Sequence, residues 1–415
     1  MKVIRKYIEK IKPHFEKGGK FQAFHSVFEA FETFLFVPDT TSRSGVHIHD
    51  ARDSKRTMSI VILALIPALL FGMYNIGYQH FLVIGAKAGF LETFFYGLLS
   101  MLPQIIVAYV VGLGIEFASA QYKKEEVAEG FLVSGILIPM ILPVDTPLWM
   151  IAVATAFSVI FAKEVFGGTG YNIFNVALMA RAFLFFAYPS KMSGDKVWIR
   201  TQGSFGAGNP EMANGVAQTV DGFTGATPLG QIATTGADSF VSFSFTNAVG
   251  QPLSLSDMFW GFIPGSAGEV STFAILLGAF ILIVTGVGSW KTILSVFIGG
   301  VVAIVSVNLF ASNAIMEMPM EYHFLLGGFA FGAVFMATDP VTSARTEKGK
   351  WIYGFLIGLI AITIRVFNPG YPEGMMLSIL LMNAFAPLID FYVVDANIKR
   401  RMKRVAVKNR KGVEK

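Results

Sequence analysis

The feature that most constrains this chain is a series of apolar runs, each near the length of a bilayer crossing. They lie at about residues 57–77, 93–118, 130–143, 148–165, 173–188, 270–287, 292–311, 324–338, 351–367 and 375–394. Crossing the hydrocarbon core takes roughly 20 apolar residues. Lipid offers backbone N–H and C=O groups no partner, so only helices and closed barrels cross. Continuous apolar runs of this length read as helices. The expected fold is an all-α integral membrane protein with about ten transmembrane helices. Composition agrees, with 53% hydrophobic and 15% charged residues, against roughly 25% charged in a soluble domain.

The net charge is +5, but it is no nucleic-acid signature. The Lys and Arg residues crowd residues 1–56 and 399–415. Basic ends beside apolar runs follow the positive-inside rule and suit anionic lipid headgroups. Ten crossings put both ends on the same side, the cytoplasmic one. Residues 1–56 form an amphipathic N-terminal segment with no run of signal-peptide type, so no cleaved targeting peptide is expected. Residues 395–415 form a basic tail.

Two runs are short and interrupted. The first ends at Ile138-Pro139-Met140-Ile141-Leu142-Pro143-Val144-Asp145 and the second at Phe335-Met336-Ala337-Thr338-Asp339-Pro340. Broken segments at matching places in two halves point to a transporter-like site near the bilayer midplane. Lys163 to Tyr171, before the fifth run, and Ile364 to Pro372, before the tenth, are similar about 200 residues apart. The chain therefore reads as two five-helix repeats, residues 57–188 and 270–394. An odd number of crossings inverts one repeat against the other.

Between them, residues 189–269 are polar and rich in Gly, Ser, Thr and Asn. No Lys or Arg occurs from Thr201 to Trp290. Five crossings before this segment place it outside the cytoplasm. It carries Asp221-Gly222-Phe223-Thr224-Gly225-Ala226-Thr227. This is a tight loop with two hydroxyls and a carboxylate. Its order resembles the acceptor sequence at which a flavin transferase attaches FMN, through phosphate, to a threonine. Thr227 is then the acceptor, Gly225 and Ala226 the small neighbours that let the transferase reach it, and Asp221 and Thr224 the rest of the motif.

The absence of Cys removes thiolate zinc and iron–sulfur ligation. The six His avoid the deep parts of the apolar runs, which argues against membrane haem. A redox centre here is expected to be organic. Phe166 to Asn175 begins the fifth run. Gly167 and Gly168 lie at a helix start with free amides, and Asn172 and Asn175 are at i, i+3 spacing. Two carboxamides on one face suit the donor and acceptor edge of an isoalloxazine; N-capping and helix packing would use the same residues.

Ionisable groups at membrane depth are costly and usually functional. Glu116, Asp339 and Asp390 are the candidate cation ligands. Asp145, at the first broken run, is ambiguous. Arg181 is expected to be an ion-pair partner or phosphate contact, and Lys163-Glu164 an interfacial pair. His47-Ile48-His49-Asp50 has a metal-like spacing that is common by chance, and no metal is assigned to it.

Together these stretches resemble the NqrB component of the sodium-translocating NADH:quinone oxidoreductases. The residues that carry the resemblance are Pro13 to Lys20, Lys163 to Tyr171, Arg181 to Pro189, Asp221 to Thr227, Ile263 to Thr272, Gly327 to Gly332 and Asn368 to Met376. Thr224 stands where many relatives have Ser. The resemblance implies a six-subunit complex with partner subunits A, C, D, E and F. It implies covalent FMN on Thr227, riboflavin at Asn172 and Asn175, ubiquinone as electron acceptor and Na⁺ as the exported ion. It also implies a quinone region at Gly112, Leu113 and Glu29, where Leu113 replaces a second Gly of some members, and Na⁺-linked carboxylates at Glu116 and Asp390. The inverted repeat implies a urea-transporter-like arrangement. The RnfD component of the ferredoxin:NAD⁺ complex shares the acceptor threonine but lacks the N-terminal extension. A non-redox urea-transporter-like channel would have no use for the acceptor loop.

Overall fold

A computed structural model describes residues 54–123, 130–192, 198–200, 225–235, 239–368 and 370–413, with scattered residues between 8 and 46. The labelled helices are α1 (Ser54–Ile84), α2 (Phe90–Lys123), α3 (Phe131–Ile141), α4 (Leu148–Ser158), α5 (Val176–Ala187), α6 (Pro228–Thr235) and α7 (Leu255–Trp260). They continue with α8 (Thr272–Thr285), α9 (Trp290–Asn308), α10 (Met320–Leu325), α11 (Glu347–Phe367) and α12 (Met375–Val413). Among the described residues no strand forms, and a single isolated bridge pairs Thr246 with Pro252.

The helices fall where the apolar runs do, as an all-helical membrane fold requires. Six helices among the described residues are long and apolar enough to cross a membrane. The other four places hold shorter pieces: α3, α5, α8, and the pair Phe329–Phe331 and Gly332–Met336. At 1.5 Å per residue the 11 residues of α3 reach about half of the roughly 30 Å core. The expected breaks at 130–143 and 324–338 are present; α5 and α8 are short as well. Apolar residues of turns and loops lengthen the runs without being helical.

The second break has a local cause. Gly327 and Gly328 both take φ of +66°, a region that favours Gly, and so end α10. A Cβ on Gly327 would lie 2.2 Å from Leu229, and one on Gly328 2.7 Å from the Glu269 carboxylate. The break is thus packed from outside as well as turned.

α1 packs along α2 and α8, α9 along α11, and α11 along α12, while α5 meets α12. Small residues permit these approaches: Cβ atoms on Gly97 and Gly299 would come within 2.0 Å of the backbone of a neighbouring helix. The tenth helix runs on through the basic tail to Val413.

The segment after α5 has a linker's composition, but its described parts dock onto the helices. Asn75 donates to the Ile263 carbonyl at 2.9 Å and Gly268 N–H to the Met140 carbonyl at 2.8 Å. Two of the six His are buried in the fold. α1 extends past its apolar run, so His80 is buried, stacked on Tyr96 and 2.9 Å from the Arg200 carbonyl. His323 is buried in α10.

Candidate functional site

A pocket opens between the two halves. Its wall includes Ser134 of α3, Lys163 and Thr169 after α4, Asn172 and Asn175 before α5, and Thr338 and Asp339 after the second break. Two π-helical turns flank it, Val159–Lys163 and Gly332–Met336. Such turns are rare and concentrate at functional sites. After the first, the chain reverses through Gly167, Gly168 and Gly170, all with positive φ, before α5 starts.

The two asparagines do not share a helix face, as i, i+3 spacing suggested, because α5 begins only at Val176. Asn175 is its N-cap: Oδ1 accepts from Ala177 N at 3.0 Å and Leu178 N at 3.2 Å. Its Nδ2 donates to Asp339 Oδ2 at 3.1 Å. Asn172 closes the preceding turn, accepting from Gly170 N and donating to the Phe174 carbonyl, both at 3.3 Å. Both still line the same pocket. The Thr169 hydroxyl is buried there without a partner. A buried unpaired hydroxyl costs about 1–3 kcal/mol, so a ligand that bonded it would remove that cost.

The carboxylates proposed for a cation differ in their surroundings. Glu116 is buried in α2, ion-paired to Lys163, with its second oxygen unpartnered. Lys163 is thus buried, while the adjacent Glu164 is half-buried and takes Ser119 and Lys123. Asp339 accepts from Val341 N at 2.9 Å as well as from Asn175. Asp390 lies in α12, away from the pocket. It accepts from Arg345 N at 2.7 Å, Thr346 N at 3.0 Å and Thr346 Oγ1 at 2.5 Å, and so ties α12 to the start of α11.

Arg181 is an ion-pair partner, the first of its two expected roles. It is buried, bonded to Glu269 at 2.7 Å and also to Glu373. Six residues separate it from Asn175, roughly 9 Å along α5. Arg365, fully buried beside it, escaped the reading of the sequence. It donates to the carbonyls of His323 (2.5 Å), Leu326 (3.1 Å), Pro372 (3.1 Å) and Glu373 (3.3 Å). It binds the carbonyls that the break in the eighth segment leaves open. A lone positive charge in the apolar ninth run was the available signal.

Thr227 is the N-cap of α6. Its Oγ1 accepts from Gly230 N at 3.1 Å, and Pro228 takes the first helical position, where no N–H is needed. Gly225 and Ala226 are buried and Thr227 is half-buried. Gln231 fixes α6 to the bridge, donating to Thr246 O at 2.8 Å and accepting from Thr246 N at 3.1 Å. Leu229 rests on Gly327, so α6 sits on the second break. Asp221, Thr224, Glu29 and the His47–Asp50 group lie outside the described residues. Gly112 is buried in α2 against the Phe131 ring, with Leu113 half-buried beside it.

The sequence model of the NQR2, RnfD, RnfE family matches residues 41–399. The chain is similar to the NqrB component of the Na(+)-translocating NADH-quinone reductase of Klebsiella pneumoniae (strain 342), with 43% identity over 97% of this chain and 99% of the relative. The component of the same name from Pseudomonas aeruginosa (strain LESB58) is 42% identical, with coverage of 97% and 99%. That from Chromohalobacter salexigens is 42% identical, with 97% of each chain covered.

Proposed function

The chain belongs to the NQR2, RnfD, RnfE family, and on that premise we propose that it is the NqrB-type membrane component of a Na⁺-translocating NADH:ubiquinone reductase, a translocase of the bacterial inner membrane. In this reading Thr227 holds FMN through its phosphate, and Asn172 and Asn175 hold riboflavin without a covalent bond. The two flavins supply electron transfer towards ubiquinone, and that flow drives Na⁺ export. Both termini are cytoplasmic and residues 189–269 periplasmic, where a flavin transferase meets Thr227. Subunits A, C, D, E and F and membrane lipid complete the surroundings.

The observation that carries the redox reading is the convergence in one pocket of Asn172, Asn175, Asp339, Lys163 and the unpaired Thr169 hydroxyl. This wall offers donors and acceptors together, as a ring with both kinds of edge atom requires. The bonds of Asn172 are long, at 3.3 Å, and can be exchanged for a ligand's. At Thr227, the first N–H groups and the dipole of α6 favour a phosphate on the capping oxygen. Asp221 and Thr224 complete the acceptor motif.

Among the cation candidates, Asp339 reaches the pocket directly and Glu116 through Lys163, while Asp390 acts from the α11–α12 junction. For ubiquinone we assign the surface of α2 at Gly112 and Leu113, together with Glu29. Gly112 supplies the space that the Phe131 ring occupies.

The test uses the complex made with its transferase. The wild-type protein is expected to give a fluorescent band in a denaturing gel under ultraviolet light, and Thr227→Ala none. Acid extraction should release riboflavin from wild type and much less from Asn172→Leu. A dark wild-type band would remove the Thr227 assignment, and full riboflavin content in Asn172→Leu the pocket assignment. In reconstituted vesicles, unimpaired sodium uptake by both Glu116→Ala and Asp390→Ala would remove those two cation ligands.

A further inference from the structure

Lys163 belongs to two sites at once. It ends the π-helical turn Val159–Lys163, lines the pocket, and is 3% exposed. Its ammonium pairs with Glu116 of α2, whose other oxygen is buried without a partner. An ammonium has three N–H donors, and this ion pair takes one of them. The neighbouring Glu164 turns away to Ser119 and Lys123. That second anchor ties the end of the turn to α2 separately from Lys163. Burying a cation is costly unless it is paired and its donors are used. Lys163 itself lines the pocket.

We infer that Lys163 is an electrostatic positioning residue for the ring bound in this pocket, its charge shared between that ring and Glu116. This rests on the pocket holding a flavin. The ammonium favours whichever redox form of the ring carries more negative charge, and Glu116 opposes it by neutralising Lys163. No proton passes to the ring. The redox state of the ring and the grip of Lys163 on Glu116 are then linked. A ring that gains charge draws on the ammonium and frees Glu116, and by reciprocity a cation held at Glu116 frees the ammonium for the ring.

The experiment is a spectroelectrochemical titration of the non-covalent flavin in the purified complex. Lys163→Gln should lower its midpoint potential, and Lys163→Arg should restore it. Glu116→Gln should raise it, because the ammonium is then unopposed. The double variant should lie between the singles. A tenfold change in the one-electron equilibrium corresponds to about 59 mV, and each single variant is expected to move by about that much. A lysine that only packed would leave the potential unchanged in Lys163→Gln, and Glu116→Gln would then shift it by the same amount with or without Lys163. An unchanged or lowered potential in Glu116→Gln overturns the inference even where Lys163→Gln fails to assemble. Riboflavin retained in full by Asn172→Leu would instead overturn the reading of the pocket beneath it.

Discussion

Asn175 donates from Nδ2 to Oδ2 of Asp339 at 3.1 Å, across 164 residues of sequence. One carboxamide therefore caps α5 in the first half and holds the carboxylate that follows the broken segment of the second. Asn175 N–H also meets the side-chain oxygen of Asn383 in α12, at 3.2 Å in the amide orientation that satisfies both groups. Two elements of the pocket wall, the start of α5 and the turn after the second break, are thus joined to each other and to α12 through this residue.

Asn175→Ala is expected to lower stability by about 1 kcal/mol for the lost cap, and by a further ~1–3 kcal/mol for the donor taken from Asp339. Asn175→Asp keeps the cap acceptor but sets two carboxylates against each other, so it should retain stability better than flavin. Thermal unfolding of the detergent-solubilised complex and the riboflavin content after acid extraction distinguish the two. Equal flavin loss in proportion to stability would leave Asn175 a cap alone.

The sequence made the pocket's residues legible and its geometry only in part. Asn172, Asn175 and Asp339 stood out because polar groups beside apolar runs are few. Their union did not, since Asp339 lies far along the chain and spacing says nothing about contacts between halves. The Asn pair was misread as a helix face because apolar residues begin before the helix does. At α5 and α8, too, the helix is shorter than its run, because loop residues as apolar as helical ones extend it. Lys163 pairing Glu116 was hidden for the same reason as Asp339. Lys163 ends a π-helical turn, and its side chain and that of the adjacent Glu164 take different partners.

Arg181 tests the buried network that joins α5 to the loop before α8 and to the turn before α12. Its removal leaves Glu269 and Glu373 without their cation. Arg181→Met should cost about 3–5 kcal/mol, read as loss of monodisperse protein on size exclusion and a lower unfolding temperature. The triple variant Arg181→Met, Glu269→Gln, Glu373→Gln removes the charges together and should recover part of that loss. If the single variant were as stable as wild type, the network would not hold these elements.

Gly112 separates packing from quinone binding. A Cβ there would come 1.9 Å from the fully buried Phe131 ring. Gly112→Ala must move that ring, at a cost of about 1–3 kcal/mol for overpacking. Gly112→Ala with Phe131→Leu should restore stability. A KM for ubiquinone that stays raised in the restored double variant would mark Gly112 as part of the quinone site. A KM that returns with stability would mark it as packing.

Glu317 ties the segment after α5 to the helices and gives a pH dependence of known sign. It ends the short helix Ala314–Glu317, and its Oε2 accepts from Ser239 Oγ at 2.7 Å and Phe240 N at 2.9 Å. These hydrogen bonds favour the charged form and hold its pKa below the ordinary glutamate value. A lowered folded-state pKa means that the contact's contribution is complete above the unfolded value, about 4.3. It is lost as pH falls through the lower folded value. The amides of Phe240 to Phe243 should therefore keep constant protection from hydrogen exchange at neutral and mildly acid pH, and lose it below about pH 4. In Glu317→Gln the amide oxygen can still accept but does not titrate, so protection should be weaker and flat with pH over the same range. A wild-type profile equally flat into strong acid would show that the Phe240–Tyr322 and Phe245–Tyr322 ring contacts, each at 5.3 Å, hold the segment without the carboxylate.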